Sequence, residues 1–129
     1  MVERWSIHAT EDACDLAMRA PGAGRVAADE VFLAGRLPED LRSAIRTVDP
    51  DALIRDAADG WEELVLEPDE ARAVWPGLSE HPLPDAPAYH QGDVADVPVR
   101  AFVTADVVHL FVRPPLAHHL RRRIAEEAR

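Results

Sequence analysis

Hydrophobic and polar residues alternate along several short stretches of the chain, which is the pattern of β-strands with one buried face. Trp5 and Ile7 alternate with polar neighbours and predict a short first strand. The apolar stretch at residues 30–34 predicts a buried strand. Alternation over residues 97–103, a turn and an apolar return over residues 107–112 predict a β-hairpin.

Between these stretches, apolar residues recur at the three- and four-residue spacing of amphipathic helices. The clearest helix follows a strand predicted over residues 61–67, and its apolar face consists of Ala71, Val74, Trp75 and Leu78. This spacing predicts that Trp75 is buried against a sheet. A last helix is predicted to begin at Pro114 and Pro115, since proline fits the first turn of a helix.

The order of the predicted elements is β-α-β-α-β-α-β-β-α. Strands and helices in this order, with a hairpin near the end, predict an α+β fold with a mostly antiparallel sheet and helices packed on one face. Residues 80–92 carry three prolines without periodicity, and we predict a long loop there. We expect one domain over residues 1–129, because a chain of this length buries a core on its own.

The charge of the chain excludes several classes of partner and chemistry. The net charge of −10 argues against nucleic acid and anionic membranes as partners. All 14 basic residues are arginine, so lysine-based covalent catalysis and a lysine-containing phosphate loop are excluded.

No apolar run approaches the roughly 20 residues of a membrane helix. The first residues lack the pattern of a secretory signal and Cys14 has no cysteine to pair with, so we expect a cytoplasmic protein.

Residues able to perform chemistry are scattered along the chain. The six histidines show neither His-x3-His spacing nor cysteine pairs, so we expect surface histidines and no metal site. No serine lies in a Gly-x-Ser-x-Gly elbow. Asp59 and Gly60 form a typical turn pair, which favours a turn over a catalytic role. We therefore predict no catalytic residue in this chain.

Positive charge is concentrated near the end of the chain. Residues 113–129 hold five arginines against two glutamates, whereas residues 1–112 hold nine arginines against 22 acids. Arginine is enriched at protein interfaces. The candidate partner interface consists of Arg113, His118, Arg121, Arg122 and Arg123. The alternative is that these arginines complement the negative end of the last helix.

Two stretches carry a familiar pattern. The first runs from Asp56 to Val74 and includes Glu67-Pro68-Asp69-Glu70-Ala71. The second begins at Gln91 and closes with Leu110-Phe111-Val112-Arg113-Pro114-Pro115-Leu116-Ala117. Over about residues 53–124 the chain resembles the sarcosine oxidase gamma subunit and, more distantly, the folate-binding aminomethyltransferase of the glycine cleavage system.

The chain also departs from that family pattern. Ala57 and Ala58 replace hydroxyl-bearing residues, and Glu67 replaces the usual glycine before proline. No folate-binding residue of the family carries over onto a matching position, so a cofactor-binding site in this chain stays unknown.

The resemblance implies a non-catalytic, gamma-like accessory subunit of a multisubunit flavin-dependent oxidase or dehydrogenase of N-methyl amino acids, within one-carbon metabolism. Its partners would be larger flavoprotein subunits. Flavin and folate would be bound in those subunits, and this chain alone would bind neither. Two alternatives stay open: a freestanding ligand-binding module of the folate type, and a small enzyme using a carboxylate or histidine pair.

Overall fold

The computed structural model describes residues 3–129. Its internal contacts divide the chain into two compact units, Met1–Asp59 and Gly60–Arg129. Each unit has one four-stranded sheet whose paired strands are all antiparallel. The predicted α+β class is therefore confirmed. The single domain over residues 1–129 stays a prediction.

The first unit has the element order β-α-β-β-α-β. Its elements are β1 (Arg4–His8), α1 (Glu11–Ala17), β2 (Ala23–Ala27), β3 (Glu30–Ala34), α2 (Glu39–Val48) and β4 (Leu53–Asp56). The sheet order β2-β3-β1-β4 places β3 between β1 and β2, which is a split β-α-β arrangement. Ile7 and Leu33 of the sheet share a core with Cys14 of α1 and Ile45 of α2, so both helices cover one face.

The second unit ends in a three-stranded meander and a long helix. Its elements are β5 (Glu62–Leu66), α3 (Pro68–Val74), β6 (Ala88–Val94), β7 (Val97–Val103), β8 (Val108–Val112) and α4 (Pro114–Glu127). The sheet order is β5-β8-β7-β6. As expected, α4 begins at the proline pair, and α3 begins at Pro68. The only helix of 14 residues in the described chain is α4, and no helix there is long and apolar enough to cross a membrane.

The core of the second unit lies between its sheet and its two helices. Alternate residues of β7 and β8 point into it, together with Leu120 and Ile124 of α4. Trp75 follows α3 in a single 3-10 turn and is 2% exposed. The prediction that Trp75 is buried on the face it shares with Val74 and Leu78 is confirmed.

The structure contains three strands that the sequence pattern did not predict: β2, β4 and β6. The loop predicted over residues 80–92 is wrong for its second half, because β6 begins at Ala88. The predicted turn at residues 20–24 is shorter, because β2 begins at Ala23. With these additions the strands form two sheets, one in each unit.

Candidate functional site

The predicted interface residues lie at the end of β8 and along α4. Arg113 is the residue that precedes the helix, and the other four lie within it. His118, Arg121 and Arg122 are exposed, as is Arg113, whereas Arg123 is half-buried. All five residues thus lie in the second unit, on α4 or directly before it.

Carboxylates of the same chain pair with the arginines of α4. Arg121 forms an ion pair with Glu62 of β5. The Nη1 atom of Arg123 lies 3.0 Å from a carboxylate oxygen of Glu126 and 3.5 Å from one of Glu127. Arg122 Nη2 lies 3.2 Å from the ring Nδ1 of His119. Arg121 and Arg122 are therefore paired within the chain but exposed, and exposed ion pairs are weak enough for a partner's carboxylates to compete.

Arg113 has a different environment from the arginines of α4. Its guanidinium carbon lies 4.0 Å from the ring centre of Trp61, and that of Arg100 lies 4.4 Å from the same ring. Arg113 Nη1 also donates a hydrogen bond of 3.0 Å to the carbonyl of Gly60. These cation–π contacts and the hydrogen bond hold Arg113 against its own chain. This cluster depends on the register of β8 with β5 and β7, which the sequence pattern does not predict.

A carboxylate–imidazole pair bridges β5 and β8. The Nδ1 atom of His109 lies 2.6 Å from Oε1 of Glu63, and both side chains are less than one third exposed, at 32% and 16%. A carboxylate that orients an imidazole is also the arrangement of a general base. Cross-strand pairs of opposite polarity are, however, an ordinary means of stabilising a sheet. A second contact of this kind joins His8 Nε2 and Glu30 Oε2 at 3.8 Å, so the Glu63–His109 pair is not singled out as a catalytic site.

His90 lies in β6 beside Trp75, and the expectation of a surface histidine is wrong for it. The ring centres of His90 and Trp75 are 5.9 Å apart in an edge-on contact, and those of His90 and His81 are 6.3 Å apart. Burial lowers the pKa of His90 below its ordinary value, and the positive charge of His81 adds to this effect. The side chain of His90 is half-buried, and its Nε2 atom has no hydrogen-bond partner among residues 3–129.

Potential metal ligands do not cluster. Over residues 3–129, no three His, Cys, Asp or Glu side chains come together in a group able to hold a metal ion.

Sequence comparison yields no relative, whereas comparison of folds does. No protein-family model and no curated protein matches the chain. Its fold is similar to that of a chain in heterotetrameric sarcosine oxidase from Corynebacterium sp. U-96 in complex with pyrrole 2-carboxylate, with a TM-score of 0.78. The match covers 98% of this chain and 79% of that chain at 15% sequence identity. The predicted resemblance is thereby confirmed at the level of the fold.

Proposed function

We propose that this chain is an accessory subunit of an oxidoreductase complex similar to heterotetrameric sarcosine oxidase. The observation that carries the proposal is the fold likeness, which extends over 98% of the chain. A likeness of that extent includes both units and not only the stretch of about residues 53–124 in which the sequence pattern is familiar.

In this proposal the reaction is the flavin-dependent oxidation of an N-methyl amino acid, performed by larger flavoprotein subunits. Flavin and folate are bound in those subunits, and the present chain supplies contacts that hold the assembly together. The candidate contact surface consists of the exposed Arg121 and Arg122 of α4 together with the half-buried Arg123. Arginine suits this role because its planar guanidinium pairs with carboxylates while its stem packs on apolar surface.

The proposal is tested by isolating the chain from its own cells with an affinity tag and identifying the co-purified proteins by mass spectrometry. We expect flavoprotein subunits in constant stoichiometry, flavin absorbance in the complex, and turnover of sarcosine or another N-methyl amino acid. The chain produced alone should be colourless and inactive.

Two results would contradict the proposal. One is a chain that purifies from its own cells without any flavoprotein. The other is stoichiometric flavin bound to the isolated chain. Binding of tetrahydrofolate to the isolated chain, measured by calorimetry, would favour the freestanding ligand-binding module instead.

A further inference from the structure

β5 lies at one edge of its sheet, and among residues 3–129 no strand pairs with its outer side. In the β7–β8 hairpin, Thr104 N donates to Val107 O at 2.9 Å, so these two residues form a hydrogen-bonded pair. Hydrogen-bonded and non-hydrogen-bonded pairs alternate along an antiparallel ladder, so the backbone groups of Val108 point towards β5. There Val108 pairs with Leu66. The preceding residue, Val65, therefore directs its N–H and C=O away from β8, towards the open edge.

Exposure of the side chain agrees with this backbone geometry. Val65 is 54% exposed, the highest value among the large exposed hydrophobic residues of the described chain. An apolar side chain on an unpaired edge is unfavourable in a protein that stays alone, because such edges recruit other strands.

A groove runs along this edge, between β5 and α4. It has a volume of about 430 Å³ and lies wholly within the second unit. Its apolar walls include Leu64, Leu66 and Ile124, together with Ala125 and Ala128. A strand added to β5 would direct every second side chain towards the helix side of the sheet, where this groove lies.

The charges around the groove define the chemistry of its occupant. Glu70 lines the groove, and it forms no ion pair among residues 3–129. Glu67, next to the end of β5, is also exposed. Arg121 lines the groove as well, but Glu62 already pairs with it. The surroundings are therefore acidic overall, and they favour an occupant with basic residues.

We propose that the open edge of β5 receives an extended segment of a larger partner subunit, added as a fifth strand. The segment carries an apolar side chain that enters the groove and a basic residue that pairs with Glu70. Backbone hydrogen bonds to Val65 supply affinity, and the groove supplies specificity. This inference rests on the proposed function, since it names where the partner subunit binds.

A second copy of the chain fits this edge less well. Antiparallel pairing of two β5 strands about Val65 would place Glu63 of one copy opposite Glu67 of the other, and like charges directly opposite each other destabilise a sheet. The net charge of −10 on each copy adds to the repulsion.

The test replaces Val65 by proline. Because the N–H of Val65 points away from β8, proline at this position removes no hydrogen bond of the β5–β8 ladder, yet it removes the donor offered to an added strand. The matched control is Asp93→Pro. The same alternation along the sheet directs the N–H of Asp93 outwards from β6, at the opposite edge.

Binding is measured to the flavoprotein assembly purified from cells that lack this chain. We expect Val65→Pro to weaken binding about tenfold or more, and Asp93→Pro to leave it within about twofold of the unaltered chain. Equal binding by the two variants would overturn the strand-addition site while leaving the proposed function standing. If the unaltered chain does not bind the assembly, both proposals fall.

Hydrogen exchange gives a measurement that needs no variant, should Val65→Pro fail to fold. The Val65 amide should exchange rapidly in the free chain and at least about tenfold more slowly in the complex, because it becomes a backbone donor to the added strand. Unchanged exchange of this amide in a complex that has formed would overturn the inference.

Discussion

Trp75 stabilises the segment that follows α3 through two kinds of interaction. Its ring fills the core of the second unit, and its Nε1 atom donates a hydrogen bond of 2.8 Å to the carbonyl of His81. The burial follows from the spacing of apolar residues and was predictable from the sequence. The contact with His90 was not, because it requires β6, a strand that the apolar pattern does not reveal.

The lowered pKa of His90 predicts that the stability of the protein depends on pH. Because burial lowers its pKa in the folded chain, the unfolded chain, with the ordinary value of 6.5, binds a proton first as the pH falls. The contribution of neutral His90 to the free energy of unfolding is thus fully present above pH 6.5 and is lost as the pH falls through the folded-state pKa. We expect a lower free energy of unfolding at about pH 5 than at about pH 7.5 in urea titrations.

A pair of variants isolates the contribution of His90 to this dependence. His90→Gln should reduce the change in unfolding free energy between the two pH values, since a group whose pKa is lowered in the folded chain has been removed. His118→Gln, an exposed histidine on α4, should leave the change as it is. The same slope in both variants would assign the pH dependence to other groups.

At the scale of elements, the strands missed by the sequence analysis share one property: each lies at the edge of its sheet. In β4 three of four residues are exposed, and in β6 only Val94 is buried. An edge strand has a neighbour on one side only, so its residues need not form the alternating apolar pattern that identifies a strand. The fourth edge strand, β5, was predicted because Leu64 and Leu66 both enter the core.

The arginines of the candidate contact surface on α4 could be predicted from the sequence, but the ion pairs that they form could not. Clustered arginines can be read from the sequence, whereas the pair between Arg121 and Glu62 joins residues far apart in the chain. Intrahelical pairs such as Arg123 with Glu126 have the three-residue spacing of helix neighbours. The same arginines thus serve the helix and, in our proposal, a partner.

Charge reversal separates these two roles. Changing Arg121, Arg122 and Arg123 together to glutamate should leave the chain folded, because exposed ion pairs contribute little to stability. It should abolish co-purification with the flavoprotein subunits, since like charges would then face the partner's carboxylates. The control carries the same change of charge in the first unit, at the exposed residues Arg36, Arg46 and Arg55.

Circular dichroism establishes that both triple variants are folded, and co-purification is measured at low salt. Loss of the partner from both variants would reflect net charge alone. Retention of the partner by the α4 variant would exclude this surface as the contact site.

At the scale of the whole molecule, the sequence resemblance to the sarcosine oxidase gamma subunit covers a shorter part of the chain than the likeness of fold does. The familiar pattern begins at about residue 53, whereas the fold likeness includes 98% of the chain. At 15% identity most side chains differ between the two proteins, so the likeness is one of fold and not of sequence. In the first unit neither edge strand, β2 or β4, shows a strand pattern in the sequence, whereas in the second unit the edge strand β5 does, so the first unit offers less sequence pattern to recognise.

If residues 1–129 form a single domain, the two units unfold together. Trp75→Ala should lower the free energy of unfolding by about 3–5 kcal/mol, as deletion of a large buried aromatic side chain does. In a single cooperative domain the most protected amides exchange only through global unfolding. Amides of β3, in the other unit, should then lose as much protection as amides of β8.

The converse variant is Ile45→Ala, in the core of the first unit. It should lower the protection of amides in β8 by about 2–5 kcal/mol. Hydrogen exchange measured by mass spectrometry at increasing urea concentration gives both values. If Trp75→Ala lowers protection in β8 and leaves β3 unchanged, the units unfold separately and the chain comprises two domains.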